Sequence, residues 1–170
     1  MIQLGKFQDL YIVKKKDFGV YVNDRKDSAE GSILLPAKQV PEGARIGDSI
    51  SCFVYKDSED RPIATVHIPK ITLGAIRPLR VKEISRIGAF LDWGLEKDLF
   101  LPFKEQVGEI RPGRDYLVSL YIDKSSRLCA TMKIGKSLSS DHSLKAGEWV
   151  MGTVYNIHPD HGAFVAVEDQ

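Results

Sequence analysis

At 170 residues, with 43% hydrophobic and 28% charged side chains, the chain has enough apolar material for folded cores and lacks the composition of a disordered segment. A formal net charge of +1 counts against tight, purely electrostatic binding to a polyanion, so any such role must rest on local groups. No apolar run approaches the roughly eighteen residues of a membrane span, and Met1–Lys6 reads as the approach to a strand rather than a signal peptide.

Lys6 to Lys16 alternates apolar and polar residues, with Leu10 and Ile12 on one side, the period of a half-buried strand. Phe18 to Asn23 reads as a second strand, and Asn23 to Ser28 as a polar turn. A third short strand, Gly31 to Pro36, is closed by proline. Pro41-Glu42-Gly43 and Gly47-Asp48 mark a connecting loop. Ser49 to Lys56 is a fourth strand, Asp57 to Arg61 a hairpin turn, and Pro62 to His67 a fifth strand. Five short strands without a long helix predict a small closed barrel, which removes exposed sheet edges.

The same course is run again. Ala75–Ser85, Gly88–Trp93, Asp98–Pro102, Tyr116–Asp123 and Arg127–Met132 are the corresponding strands. Pro36 to Gly47 spans eleven residues, as does Pro102 to Gly113; Asp57 to Arg61 spans four, as does Asp123 to Arg127. Both copies carry Tyr two residues before that Asp and end in Ala-Thr. The stretch Asp17-Phe18-Gly19-Val20-Tyr21-Val22 returns as Ile87-Gly88-Ala89-Phe90-Leu91-Asp92 and as His161-Gly162-Ala163-Phe164-Val165-Ala166, a period near seventy residues. The expected organisation is a first domain over 1–68, a second over 72–133, a linker over 134–146 with one helical turn, and a partial third domain over 147–170. That last part contains two strands only, a marginal hairpin, and reads as the start of a barrel whose remaining C-terminal portion is missing.

Cys52 and Cys129 sit in apolar runs of different repeats and read as buried thiols, consistent with a reducing, cytoplasmic setting. His158-Pro159-Asp160-His161 has no further ligand nearby, so no metal is expected. No glycine-rich phosphate loop, nucleophile elbow or carboxylate pair points to an enzyme or a cofactor.

The aromatic strand, the short third strand and the Asp-x-x-x-Arg hairpin together resemble the S1 RNA-binding domain, an OB-fold barrel of five strands. The resemblance implies a surface for single-stranded RNA. In the first repeat it comprises Phe18, Tyr21, Leu34, Asp57 and Arg61; in the second, Ile87, Phe90, Phe100, Asp123 and Arg127. The family often has His on strand three, where this chain has Leu34 and Phe100. Leu34-Leu35-Pro36, Phe90 to Leu95, Lys97 to Pro102 and Gly147-Glu148-Trp149 further resemble the bacterial conserved virulence factor B family, which has three S1 domains and a winged helix. That implies RNA-linked regulation of gene expression.

Single-strand binders stack bases on aromatic faces and track phosphates with positive charge. Phe18 and Tyr21, three apart, fall on opposite faces of a regular strand, and a bulge at Gly19 would bring both outward. The alternative is that Phe18 or Phe90 fills its barrel. Asp57 and Arg61 either contact the nucleic acid or form a surface ion pair that pins the turn. Lys14, Lys15 and Lys16, with Arg80, Lys82 and Arg86 in the second repeat, are candidate phosphate contacts; a solvated face is the plainer reading. Near-neutral charge leaves a protein-interaction scaffold as the competing function.

Overall fold

A computed structural model describes residues 1–136, 152–158 and 162–167. The chain divides into two compact units, the first comprising Met1–Pro69 with Gly94–Lys97 and Ile122–Leu128, the second Lys70–Trp93, Asp98–Tyr121 and the residues from Cys129. In the first unit, β1 (Phe7–Lys16), β2 (Gly19–Asn23), β3 (Ile33–Pro36), β4 (Ser49–Lys56) and β5 (Pro62–Thr65) form a closed barrel in the order β1-β2-β3-β5-β4. A parallel bridge, Leu34↔Ile63, completes the closure. Alternation explains the core: Leu10, Ile12, Val20, Val22, Leu35 and Ala64 point inward and are buried in one cluster.

The second unit repeats the strands as β6 (Ile76–Ile84), β7 (Gly88–Asp92), β8 (Leu99–Pro102), β9 (Asp115–Ile122) and β10 (Leu128–Thr131). They form a five-stranded barrel-like sheet in the order β10-β9-β6-β7-β8. Among the described residues no ladder joins β8 to β10, whereas β3 and β5 are bridged. A third pair, β11 (Gly152–His158) and β12 (Gly162–Val167), forms an antiparallel hairpin. Ala166 is buried with Ile76, Leu117 and Ile134 of the second unit.

One irregularity recurs in all three copies. The pairing slips by one residue between Ile12 and Lys14, between Val81 and Glu83, and between Val154 and Asn156. Such a bulge re-aims the residues that follow it. A second recurrence is a close approach of backbone. Gly19 has φ +151°, and a Cβ there would collide with the Leu35 carbonyl oxygen and lie 3.1 Å from the Ala37 nitrogen. Gly88 has φ +155° and faces the Leu101 carbonyl in the same way. Glycine therefore stands where strand two crosses strand three most tightly.

Two single-turn 3-10 helices, Ala37–Gln39 and Phe103–Glu105, follow Pro36 and Pro102 where the sequence suggested only loop. Each is tied to its last strand. Thr65 Oγ1 and the Val66 amide donate to Gln39 Oε1 at 2.7 and 2.9 Å; the Met132 amide donates to the Glu105 carbonyl at 2.9 Å. A 3-10 turn, Ile134–Lys136, opens the expected linker. The rest of that linker, Gly147-Glu148-Trp149, the Pro159-Asp160-His161 turn and the Phe164 side chain lie outside the described residues. Cys52 and Cys129 are free and buried. The described residues include no helix long and apolar enough to cross a membrane.

Candidate nucleic-acid interface

The register lines up one outward row across the first barrel. Lys14 pairs with Tyr21, Tyr21 with Leu34, and Leu34 with Ile63. Their neighbours Val20, Val22, Ile33 and Leu35 are buried, so the row faces away from the core. The slip before Lys14 places it in this row, and its Nζ lies 5.8 Å from the centre of the Tyr21 ring. That cation–π contact contributes about 0.5–1 kcal/mol at an exposed site.

Phe18 reaches the same region by another route than the one expected. It is not a β2 residue, and the irregularity lies in β1 rather than at Gly19. Phe18 occupies the turn Asp17-Phe18, outside the strict alternation of a strand, and is 56% exposed. It therefore does not fill the barrel. Its ring meets Tyr21 edge-on, with centroids 6.3 Å apart and planes at 88°. The two rings offer surfaces at a large angle, with the lysine beside one of them.

The hairpins after β4 and β9 share a construction. Asp57 Oδ1 accepts from the amides of Glu59 and Arg61 at 2.9 and 3.0 Å, and Asp123 Oδ1 accepts from Ser125 and Arg127 at 2.8 and 2.9 Å. The fourth residue of each turn, Asp60 or Ser126, has φ near +60°. Each Asp thus has a structural role in caging its turn. Arg61 Nε donates to Asp57 Oδ2 at 3.0 Å and its other arm meets Glu59 at 3.1 Å. Arg127 is held more loosely, 3.6 Å from Asp123. Partial burial pushes the Asp57 pKa up, but the amides of Arg61 and Glu59 and the guanidinium outweigh it and hold the carboxyl below its usual range.

On the second unit, Phe90 pairs with Phe100 across β7 and β8, with ring centroids 5.4 Å apart and tilted by 40°. Both are half-buried between buried neighbours, so this aromatic pair also faces outward. Ile87 stands where Phe18 does and is 66% exposed. Opposite Phe90 on β6 is Glu83, where the first barrel has Lys14.

The expected phosphate contacts divide into two groups. Arg80 Nε donates to Asp115 at 2.9 Å and Lys82 Nζ to Asp98 at 2.9 Å; these hydrogen bonds raise both pKa values. Lys14, Lys15, Lys16 and Arg86 are exposed, and among the described residues none forms an ion pair. Lys15 Nζ donates to the Ala44 carbonyl at 3.0 Å. Sequence reasoning missed the membership of Ile63 in the row and the exchange of Lys14 for Glu83; counting back from each aromatic through the hairpin turn could have exposed the latter. Among the described residues no group of His, Cys, Asp and Glu could hold a metal.

Tandem five-stranded barrel-like sheets with outward aromatics on strands two and three place the chain in the OB-fold class. The chain belongs to the S1 domain family, whose model matches residues 4–67 and again 73–133. It is 28% identical over 176 residues to the protein YitL of Bacillus subtilis (strain 168), covering 97% of this chain and 57% of YitL. It is 29% identical over 92 residues to conserved virulence factor B of Staphylococcus saprophyticus, covering 52% of this chain and 31% of that protein. These similarities accord with the family resemblance carried by the sequence. A crystal structure from Streptococcus pneumoniae TIGR4, described as a multidomain protein with nucleic acid binding domains, superposes with a TM-score of 0.68 at 19% identity. It is covered to 60% and this chain to 98%, so the chain spans little more than half of this neighbour and of YitL, and the match to virulence factor B spans about a third of that protein.

Proposed function

We propose that the chain binds single-stranded RNA through its S1 domains, with the first barrel supplying the principal platform. The observation that carries this reading is the outward cluster of exposed Phe18 and Lys14 with half-buried Tyr21, two ring faces with a cation beside them. Stacking on such rings contributes about 1–3 kcal/mol per base, and the lysine suits the adjoining phosphate. Phe90 and Phe100 form a second stacking surface. Arg61 and Arg127 are cationic contacts presented by their caged turns, with Asp57 and Asp123 as the residues that shape them. Membership of the S1 family and the description of the S. pneumoniae neighbour support a nucleic-acid ligand. In this reading the role is post-transcriptional regulation in a reducing cytoplasm, by binding rather than catalysis.

The test is fluorescence anisotropy of a labelled single-stranded RNA at several salt concentrations. Wild type should bind saturably, with a salt-dependent part from phosphates and a salt-insensitive part from stacking. Phe18→Ala with Tyr21→Ala should weaken binding by about 10-fold or more while leaving the far-UV circular dichroism intact. Unchanged affinity in the double variant would remove these residues from the interface.

A protein-interaction scaffold is the second reading, favoured by exposed Ile84, Ile87 and Phe103 on the second unit. Capture of a partner that survives ribonuclease, together with no RNA binding, would establish it over the first.

A further inference from the structure

The residue opposite the strand-two aromatic changes charge from copy to copy. In the register Lys14 pairs with Tyr21, Glu83 with Phe90 and Asn156 with Phe164. In every case it is the first paired residue after the slip in register. The backbone therefore delivers the same position to the same place three times, while the side chain is positive, negative and neutral.

The surroundings do not cancel the difference. Lys14 and Glu83 are both exposed, and among the described residues neither has an ion-pair partner. The neighbouring cations Arg80 and Lys82 are already paired with Asp115 and Asp98. Along the chain, Lys15, Lys16 and Asp17 lead from Lys14 to Phe18, whereas Ile84, Ser85 and Arg86 lead from Glu83 to Ile87. A base stacked on either platform brings its own phosphates to this edge. On the first they meet a lysine cluster; on the second they meet an unneutralised carboxylate.

We propose that this position tunes each platform to ligand charge: Lys14 strengthens the hold of the first platform on a phosphate-bearing strand, and Glu83 weakens that of the Phe90–Phe100 platform. Aromatic surface attracts bases on both units, and a repulsive group opposite the ring separates them, as specificity commonly requires. The inference rests on the single-strand RNA reading, and its test distinguishes the two.

The probe is a labelled oligouridylate titrated with the full chain at 50 and 200 mM salt, comparing wild type with Glu83→Lys, Glu83→Gln and Lys14→Glu. Each phosphate contact to a single strand adds about 0.7 to the slope of log affinity against log salt, or about 2.6-fold over this fourfold salt range. Glu83→Lys should bind more tightly, with an advantage over wild type that shrinks by about 2.6-fold between the two salts. Glu83→Gln should fall between them, and Lys14→Glu should bind more weakly with a flatter slope. Both sites are exposed, so all three variants should keep the fold, with thermal melts close to wild type. Saturable wild-type binding left unchanged by both Glu83 variants would overturn the charge selector and leave the RNA reading standing. Binding by Glu83→Lys alone would support the selector and overturn the first barrel as principal platform. Absence of binding in every protein would overturn both.

Discussion

Replacing Gly19 with alanine tests the point on which fold and interface both depend. The residue lies between Phe18 and Tyr21 and pairs with Pro36 across β2 and β3. Its φ of +151° is strained for an L side chain, and the added methyl would meet the Leu35 carbonyl with Leu34 Cδ1 at 3.0 Å and the Ala37 nitrogen at 3.1 Å. Two of these three neighbours are backbone and cannot rotate away. Backbone strain contributes about 1–3 kcal/mol. Separating the strands also loosens the hydrogen bond from the Ala37 amide to the Phe18 carbonyl, now 3.0 Å, at about 1 kcal/mol. The expected destabilisation is about 2–4 kcal/mol, which at 1.4 kcal/mol per decade is roughly 30- to 700-fold faster opening. Amide hydrogen exchange of peptides covering β2 and β3 reads this locally, without interference from the second unit. Gly43→Ala is the control: its φ is +78° but nothing lies within 4 Å of the added carbon. If Gly19→Ala speeds exchange no more than Gly43→Ala, the close approach of β2 to β3 is not what requires glycine, and the argument fails.

Two further predictions concern titratable groups. Asp57→Asn should destabilise the chain by about 1–2 kcal/mol near neutral pH, because the carboxylate holds two amides and a guanidinium. The folded pKa of Asp57 is depressed, so its contribution is fully present above the unfolded value near 3.8 and is lost as pH falls through the folded value. Urea melts should therefore show the gap between wild type and variant closing in acid; a gap that persists there would refute the role of the charge. Burial pushes the Cys52 thiol up to about 11, so a thiol reagent near neutral pH should modify it only as fast as the barrel opens. Rapid stoichiometric labelling of the folded chain at Cys52 would contradict its burial.

Most of the strand pattern was legible because inward positions repeat with period two and turns carry Gly, Pro and Asp. Ser49–Lys56 is found at the predicted ends, and the other strands differ by a few residues at their termini, where hydrogen bonding rather than side-chain type sets the limit. The 3-10 turns after Pro36 and Pro102 were not legible, since three residues carry no periodicity. The position of Phe18 was misread for a related reason: a turn residue beside a strand has the same apolar character as a strand residue. The pairs Arg80–Asp115 and Lys82–Asp98 join residues 35 and 16 apart in sequence, which no local pattern reports. The slip before Lys14 leaves no side-chain signature either, yet it decides that this lysine, and not its neighbour, stands over Tyr21.

Duplication makes the division between scaffold and platform visible within one chain. The inward positions remain apolar: Val20 and Ala89, Val22 and Leu91, Leu35 and Leu101, Ala64 and Ala130 are all buried. Close packing restricts them, because even one methylene is felt in a core. The glycines at 19 and 88 are retained by the same logic applied to backbone. The outward row is under no such constraint. Glu83 stands at the position of Lys14, Ile87 at that of Phe18 and Phe100 at that of Leu34. A pair of barrels can therefore share a folding solution while diverging in the charge and shape they present. It follows that affinity measured on the whole chain is a property of two unequal platforms, and that substitutions in the row, unlike those beneath it, should change the ligand without changing the fold.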